Sequence, residues 1–395
     1  MEERFKFILD YQEEEESFAE LCRRYGISRK TGYKWVERYR VEGVEGLKDQ
    51  SRAADHHANE VLKEVAEYVL EMRRRHPHWG PAKLRVRLER ETPEIQWPAP
   101  STIGEILKRA GLTIPRKHHR KAPPSQNPLV EAGSANQVWS ADFKGWFRCG
   151  DGSRCDPLTM SDGYSRFLLR CQAMEGMEEG KVKGVMEAAF REYGLPERIR
   201  TDNGEPFASV GLGGLSRLSV WWIQLGIQPE RIQRGKPQQN GRHERMHRTL
   251  KQQTARPPAA NLRRQQEWFD GFRQEYNWER PHEGLGMQTP SALYTATGRR
   301  YPARLGKPEY CGEWETRSVG PCGTIRWGKG KHFVSKVLAG EVIGMEPVED
   351  GYWKVWYFGY PLGVFDERKG VIRRLERPKA GEVAKEEKAC GSKEV

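Results

Sequence analysis

Three carboxylates stand in settings that solubility alone does not explain. Asp142 lies within Val138-Trp139-Ser140-Ala141-Asp142-Phe143-Lys144-Gly145, midway along a stretch whose apolar residues recur with the period of a strand. A carboxylate there is costly to bury without a cation or a hydrogen-bonding partner. Asp202 opens Asp202-Asn203-Gly204, a sharp turn that directly follows a short strand at residues 198–201. Glu244 lies on a long helix, expected from about residue 237 to 254, inside Pro237-Gln238-Gln239-Asn240-Gly241-Arg242-His243-Glu244-Arg245. Three carboxylates that converge bind hard divalent cations, and magnesium favours such oxygen ligands while keeping water for the substrate. Two such ions, about 3.5–4 Å apart, can activate an attacking oxygen and stabilise the leaving one in an in-line displacement.

Convergence is a demand on the elements around these residues. Strand patterns cover residues 138–149, 158–161 and 167–173, and an amphipathic helix at 179–193 is ended by Gly194 and Pro196. The strand at 198–201 follows, then a helix at 215–225, a short strand near Ile227 and the long helix that carries Glu244. Three strands, helix, strand, helix, strand, helix is the order of the ribonuclease-H-like fold. In that fold the first and fourth strands are neighbours and the last helix packs across their ends, which would bring Asp142, Asp202 and Glu244 to one point. A further helix is expected at 262–277. The chain then turns strand-rich from 323 to 374, with hairpin-like turns at Gly328-Lys329-Gly330 and Glu349-Asp350-Gly351 that suggest a small β-barrel. The segment 377–395 is charged and aliphatic-poor and is expected to be disordered.

The front of the chain is helical. Phe18, Leu21 and Cys22 recur at helical spacing, Gly26 suits a turn, Ser28 suits an N-cap, and a basic helix restarts at Arg29. Helix, glycine turn and basic second helix form a helix-turn-helix pattern, with Arg29, Lys30 and Lys34 placed to meet DNA. Helices at 61–75, 81–90 and 101–110 read as a second such unit, with Pro100 before the third and Thr102 and Glu105 at capping-box spacing. A basic, proline-containing linker follows, in which Arg116, Lys117, Arg120 and Lys121 are candidate backbone contacts.

Composition agrees with a nucleic-acid partner. The net charge is +12, and cations cluster at 73–75, 116–121, 231–236 and 242–251 instead of being spread evenly. Such clusters neutralise phosphates and release counterions, the main affinity term for nucleic acid. With 36% hydrophobic residues and a mean hydropathy of −0.84, no apolar run reaches the roughly 20 residues that cross a bilayer. Residues 1–16 are charged and lack a signal-peptide core, so secretion is not expected and the expected location is cytoplasmic. The seven cysteines are odd in number and form no CxxC pair, which indicates neither a disulfide framework nor a structural zinc site.

The sequence resembles the insertion-sequence transposases that share the retroviral-integrase catalytic core, the DDE superfamily. The resemblance spans nearly the whole chain. It is carried by Trp139-Ser140-Ala141-Asp142-Phe143-Lys144-Gly145, Asp162-Gly163-Tyr164-Ser165-Arg166-Phe167, Arg200-Thr201-Asp202-Asn203-Gly204-Glu205-Pro206-Phe207 and Pro237-Gln238-Gln239-Asn240-Gly241-Arg242-His243-Glu244. Tyr276-Asn277, Arg280-Pro281-His282 and Thr289-Pro290 resemble the family's region after the last catalytic acid. The resemblance implies that Asp142, Asp202 and Glu244 hold two Mg2+ ions per active site, Asp142 bridging them, with Mn2+ a workable substitute. It also implies that Lys251, about two helical turns after Glu244, meets the DNA end near the scissile phosphate, with Arg242, Arg245 and Arg248 beside it. The interval from Asp202 to Glu244 is longer than in retroviral integrases, and the excess around residues 210–219 reads as a local insertion. Asp162 is a competing acid, read here as structural or DNA-adjacent and hydrogen-bonded near Ser165 and Arg166.

A different enzyme class also has a foothold. His243-Glu244-Arg245-Met246-His247 fits the H-E-x-x-H zinc-protease signature, with Glu267 near where a third ligand falls in one protease group. That reading leaves Asp142, Asp202 and the front helices unexplained, and Gln253 stands where a third histidine would be. The expected organisation is therefore a multidomain chain: helix-turn-helix domains at 1–56 and 57–113, a linker at 114–130, an α/β integrase-type core at 131–300, a β-rich domain at 301–376 and a tail at 377–395. The expected function is to bind the terminal inverted repeats of an insertion sequence, hydrolyse a phosphodiester at the element end and join the new 3′-hydroxyl to target DNA. The partners are double-stranded DNA and further copies of the chain, as a dimer or larger assembly on DNA, with no membrane. The alternative is a catalytically inactive relative acting as a DNA-binding regulator.

Overall fold

The computed structural model describes residues 2–49, 61–113, 129, 131–209, 211–233 and 237–373. It divides into two compact units, Met1–Leu62 and Lys63–Val395. The linker cations Arg116, Lys117, Arg120 and Lys121 and the tail at 377–395 lie outside the described residues.

Among the described residues the first unit holds three α-helices, α1 (Glu2–Gln12), α2 (Phe18–Arg24) and α3 (Arg29–Glu42), followed by a 3-10 turn at Gly43–Leu47. Helix α1 precedes the helices that the sequence pattern marks in this unit. Its Phe7 and Ile8 are buried and join Leu21, Cys22 and Leu47 in the core. The Ser17 and Ser28 hydroxyls cap α2 and α3 by accepting from the amides of Glu20 and Thr31. Gly26, at φ 64°, makes the turn between them. A Cβ on Gly32 would lie 2.8 Å from Cys22 Sγ and 3.1 Å from Phe7 Cζ, so a glycine is needed for α3 to cross its neighbours this closely. Arg29, Lys30 and Lys34 are exposed on α3.

The second unit begins with α4 (Lys63–Arg75), α5 (Pro81–Glu91) and α6 (Pro100–Arg109), packed around Val69, Trp79, Leu84, Leu88, Ile103 and Leu107. The capping box expected at Thr102 and Glu105 is not formed. Pro100 occupies the first helical position, Ala99 is the cap residue, and no side-chain cap is present. The preset φ of proline starts the helix earlier and leaves Thr102 inside it. Trp79 donates its indole N–H to Glu275 at 2.8 Å, and Arg90 donates to the Met287 carbonyl at 2.9 Å, which ties these helices to the following domain.

That domain is a mixed sheet between helices. Its elements are β1 (Val138–Phe143), β2 (Phe147–Arg148), β3 (Arg154–Asp162), β4 (Leu168–Met174), α7 (Glu179–Tyr193), β5 (Arg198–Thr201), α8 (Arg217–Gln224), β6 (Gln228–Arg231), α9 (Gly241–Thr254) and α10 (Leu262–Gln274). The strands lie in the order β4-β3-β1-β5-β6, with β2 against the start of β3; β1 is antiparallel to β3 and parallel to β5. One face packs Trp139, Leu158, Met160 and Ile199 against Val182, Met186, Phe190, Leu218 and Trp222 of α7 and α8. The other sets Cys155, Leu168 and Cys171 against Met246 and Leu250 of α9 and Phe269 and Phe272 of α10. Helix α10 runs into a π turn, Glu275–Glu279, where Asn277 bonds both the amide and the carbonyl of Leu168 at 2.8 and 3.0 Å and so serves as a partner for the free edge of β4.

The C-terminal strands are β7 (Glu315–Ser318), β8 (Thr324–Trp327), β9 (Gly330–Phe333), β10 (Val342–Glu349), β11 (Tyr352–Tyr357), β12 (Tyr360–Asp366) and β13 (Val371–Arg373). Strand β7 precedes the expected strand region because it is a largely exposed edge strand without apolar alternation. A closed barrel is not found among the described residues. Strands β13-β12-β11-β10-β7 form one antiparallel sheet and β8-β9 a separate hairpin. The apolar face of the sheet does not need closure, because the preceding α/β domain covers it. Leu215, Val220 and Ile223 share one core with Val319, Ile325, Leu338, Ile343, Val355 and Phe365. The stretch that reads as an insertion is therefore the seat of the C-terminal sheet. Leu215 is fully buried in that seat. Leu215→Ala is expected to lower stability by about 2–5 kcal/mol in urea denaturation followed by tryptophan fluorescence; an unchanged midpoint would mean that the two parts do not share a core.

Candidate active site

Strand pairing sets the first two carboxylates level. Val138 pairs with Arg198 and Ser140 with Arg200 on the parallel strands β1 and β5. Two residues on, Asp142 and Asp202 stand side by side at the carboxyl ends, Asp202 one residue beyond β5. The carboxylate of Asp202 turns back to accept from the Gly204 amide at 3.0 Å. Gly204 suits this closeness, since a Cβ there would lie 3.1 Å from Asp202 Oδ2. Asn203 donates to the Ile232 carbonyl at 2.8 Å, which fixes the turn to the chain beyond β6. Glu244 is exposed in the first turn of α9 and lines a cleft with Asp142, Phe143, Lys144, His247, Arg248 and Lys251.

The charges of both other acids act on Asp142. Burial, and then the negative charges of Asp202 and Glu244, push the Asp142 carboxyl from an ordinary 3.8 up to about 7. A carboxyl that prefers a proton at neutral pH in such company is a place where a divalent cation would be favoured in the proton's stead. The donor set of three carboxylates beside an open cleft fits a hard dication. Of the α9 cations, Arg248 and Lys251 line this cleft. Arg242 does not; it pairs with Glu131 at 2.6 Å and donates to the Gly163 carbonyl. Arg245 is exposed on α9 outside the lining of the cleft. Asp162 is buried with both oxygens engaged, one by the Asn136 amide at 2.7 Å and the other by the amide and hydroxyl of Ser165 at 2.7 and 2.6 Å. It holds a turn together.

The H-E-x-x-H histidines do not form a protease site. Both point inward from α9 against β3. The His243 nitrogens meet Thr159 Oγ1 and Ser161 Oγ, each at 2.8 Å, and His247 Nε2 meets Thr159 Oγ1 at 2.6 Å. Burial brings His243 down to about 3 and pulls His247 lower still, so both rings are neutral. Glu267 is paired with Arg264 at the surface. Thr159 and Ser161 were missed in the sequence reading. Their signal was two hydroxyls at alternate positions of an otherwise buried apolar strand, facing two histidines one helical turn apart.

The Asp142 shift has a pH consequence. A carboxyl that titrates near 7 folded and near 3.8 unfolded takes up a proton on folding between those values, so the metal-free fold loses stability as pH rises through that window. A dication bound at Asp142 would take that proton's place, at least cost where the proton has already left. The melting temperature is therefore expected to rise more with Mg2+ at pH 8 than at pH 6, and Asp142→Asn to remove the difference. Equal magnesium shifts at both pH values in the wild type would contradict this electrostatic picture.

Comparison with known proteins agrees with this architecture. The family described as "Integrase core domain" matches residues 133–237 and, through a second family of that description, residues 225–290. A "Helix-turn-helix domain" matches residues 3–54 and a "Homeodomain-like domain" residues 31–107. The insertion element IS407 31.7 kDa protein of Burkholderia multivorans is 27% identical over 237 residues, which is 60% of this chain and 81% of that protein. The transposase for insertion sequence element IS904 of Lactococcus lactis subsp. lactis is 26% identical over 203 residues, 48% of this chain and 77% of its own length. Among solved structures, a chain of the simian T-cell lymphotropic virus intasome aligns at 16% identity and a TM-score of 0.37, covering 79% of this chain and all (100%) of that one. The HTLV-2 integrase catalytic core domain aligns at 15% identity and a TM-score of 0.32, over 41% of this chain and 99% of that one. No helix among the described residues is long and apolar enough to cross a membrane. Its integrase-core and helix-turn-helix domains and its insertion-element relatives support an insertion-sequence transposase of the integrase-core superfamily.

Proposed function

We propose that this transposase binds the terminal inverted repeats of its own element through residues 1–113 and cuts and joins DNA at Asp142, Asp202 and Glu244. The observation that carries the reading is the raised Asp142 carboxyl, crowded by Asp202 and Glu244 at the ends of parallel strands and opening on a cleft with basic walls. Divalent ions such as Mg2+ or Mn2+, two per site and held by these three side chains, would activate the attacking oxygen and stabilise the leaving one when bound. The chain's own residues do the remaining work. Arg248 and Lys251 from α9 and Lys144 from the end of β1 flank the acids, where they offset phosphate charge and hold the strand in line. Arg29, Lys30 and Lys34, exposed on α3, supply contacts to the repeat. Arg242 and Arg245 extend the basic surface of α9 away from the cleft.

The reaction has two in-line displacements. Water attacks the phosphodiester at the element end and leaves a 3′-hydroxyl; that hydroxyl then attacks a phosphodiester of target DNA. The nucleophile is water or DNA in both steps, so no enzyme–DNA bond forms. Two element ends have to meet, which calls for a dimer or larger assembly on DNA, in the bacterial cytoplasm at the nucleoid.

The test is strand transfer with labelled element-end DNA in Mg2+. Asp142→Asn, Asp202→Asn and Glu244→Gln are each expected to reduce joining by about 100-fold or more, roughly 2.7 kcal/mol of barrier, with end binding retained. Equal joining by wild type and variants would overturn the site. Binding without cleavage by the wild type would favour a DNA-binding regulator instead.

A further inference from the structure

The polar groups behind Asp142 form a set in which nearly every proton has one place to go. Thr159 lies directly opposite Asp142 on the antiparallel pair β1–β3, and its hydroxyl donates to the Asp142 carbonyl at 3.1 Å. Its oxygen is then left to accept, and two imidazole Nε2 atoms approach it, from His243 at 2.8 Å and His247 at 2.6 Å. Both rings therefore carry their proton on Nε2. His243 Nδ1 accepts from the Ser161 hydroxyl at 2.8 Å. The opposite tautomer of His247 would commit the single Thr159 proton to the ring and leave the Asp142 carbonyl without that bond.

One lone pair is left over. His247 Nδ1 faces Asp142 Oδ2 at 3.8 Å, too far for a hydrogen bond. An imidazole lone pair thus faces a carboxyl oxygen across a gap that no hydrogen bond spans, in a cleft that Glu244 also lines. Ligand-type atoms of Asp142, His243 and His247 lie within 4.8 Å of one another, but both nitrogens of His243 are engaged and only His247 has one to offer.

We infer that His247 Nδ1 is a nitrogen ligand of the dication held at Asp142, an inference that rests on the carboxylate site proposed above. The separation fits. Two ligand atoms each about 2.1 Å from one ion stand roughly 3–4 Å apart. The rear of the ring is built as ligating histidines usually are, with the other N–H held by a fixed acceptor that sets tautomer and orientation. Thr159 is thus a positioning residue, because one hydroxyl holds the imidazole that ligates and the strand that carries Asp142. A site of mixed nitrogen and oxygen donors gains more from first-row ions such as Mn2+ than from Mg2+, which prefers oxygen.

The deciding measurement is pulsed electron paramagnetic resonance of Mn2+ bound to the full-length chain without DNA. Wild type is expected to show modulation from a directly coordinated nitrogen, and His247→Gln to lose it while still binding Mn2+ about tenfold more weakly. Thr159→Val is expected to weaken Mn2+ binding by about tenfold or more, and Thr159→Ser to restore it. Bound Mn2+ without nitrogen modulation in the wild type, or modulation that persists in His247→Gln, overturns the ligand while leaving the carboxylate site standing. A wild type that does not retain Mn2+, or an Asp142→Asn variant that retains it equally, overturns the carboxylate site and the histidine ligand together.

Discussion

Like charges brought together at the ends of parallel strands are the constraint on which this structure depends. Asp142 and Asp202 are level because β1 and β5 run parallel in register, and Glu244 joins them because α9 packs on the same sheet through Met246 and Leu250. Each of these placements favours a bound cation and disfavours the cation-free chain. The strain is contained by a rigid scaffold: the Trp139–Ile199 face under α7 and α8, and the hydroxyl–imidazole set that pins α9 to β3.

The same logic of fixed carboxylates recurs where the front helices meet the core. Glu275, in the π turn after α10, accepts from the Trp79 indole at 2.8 Å and from Gln253 at 3.3 Å, with His76 3.5 Å away. Burial would raise its pKa, but His76 and Trp79 outweigh that and hold it below its ordinary value. A charged acid at this junction links α4–α6 to the helix that carries Glu244, since Gln253 belongs to α9. The neighbouring Tyr276-Asn277 motif closes the edge of β4, so that part of the downstream signature serves to hold the sheet and not to react.

The C-terminal sheet shows how a catalytic domain can take on another part. The segment after Asp202 places Leu215 and one side of α8 outward, and the sheet lays its apolar face on them. Gln224 of α8 donates to both Glu341 and the Tyr357 hydroxyl at 3.0 Å, a polar fastening beside the shared core. An antiparallel sheet with one face covered in this way has its burial without closing into a barrel.

What the amino-acid sequence determined by itself is what depends on neighbours along the chain. The helix cap at Ser28, the period of β1, the helix ended at Gly194 and the turn after Thr201 are local matters, and so the order of elements in the α/β domain was legible, as were the strand and helix positions of the three acids. Helix α1 was hidden because its charge masked two buried apolar residues, and β7 because an exposed edge strand has no alternation to read. What only the tertiary structure decided rests on residues far apart in sequence. It turned the two histidines of H-E-x-x-H from a zinc-protease signature into a buried pair facing Thr159 and Ser161, separated Arg248 and Lys251 from Arg242, and made a seeming insertion the seat of another domain. The physical reason is that a hydroxyl, an imidazole or a leucine has no role until the fold chooses which distant partner will meet it.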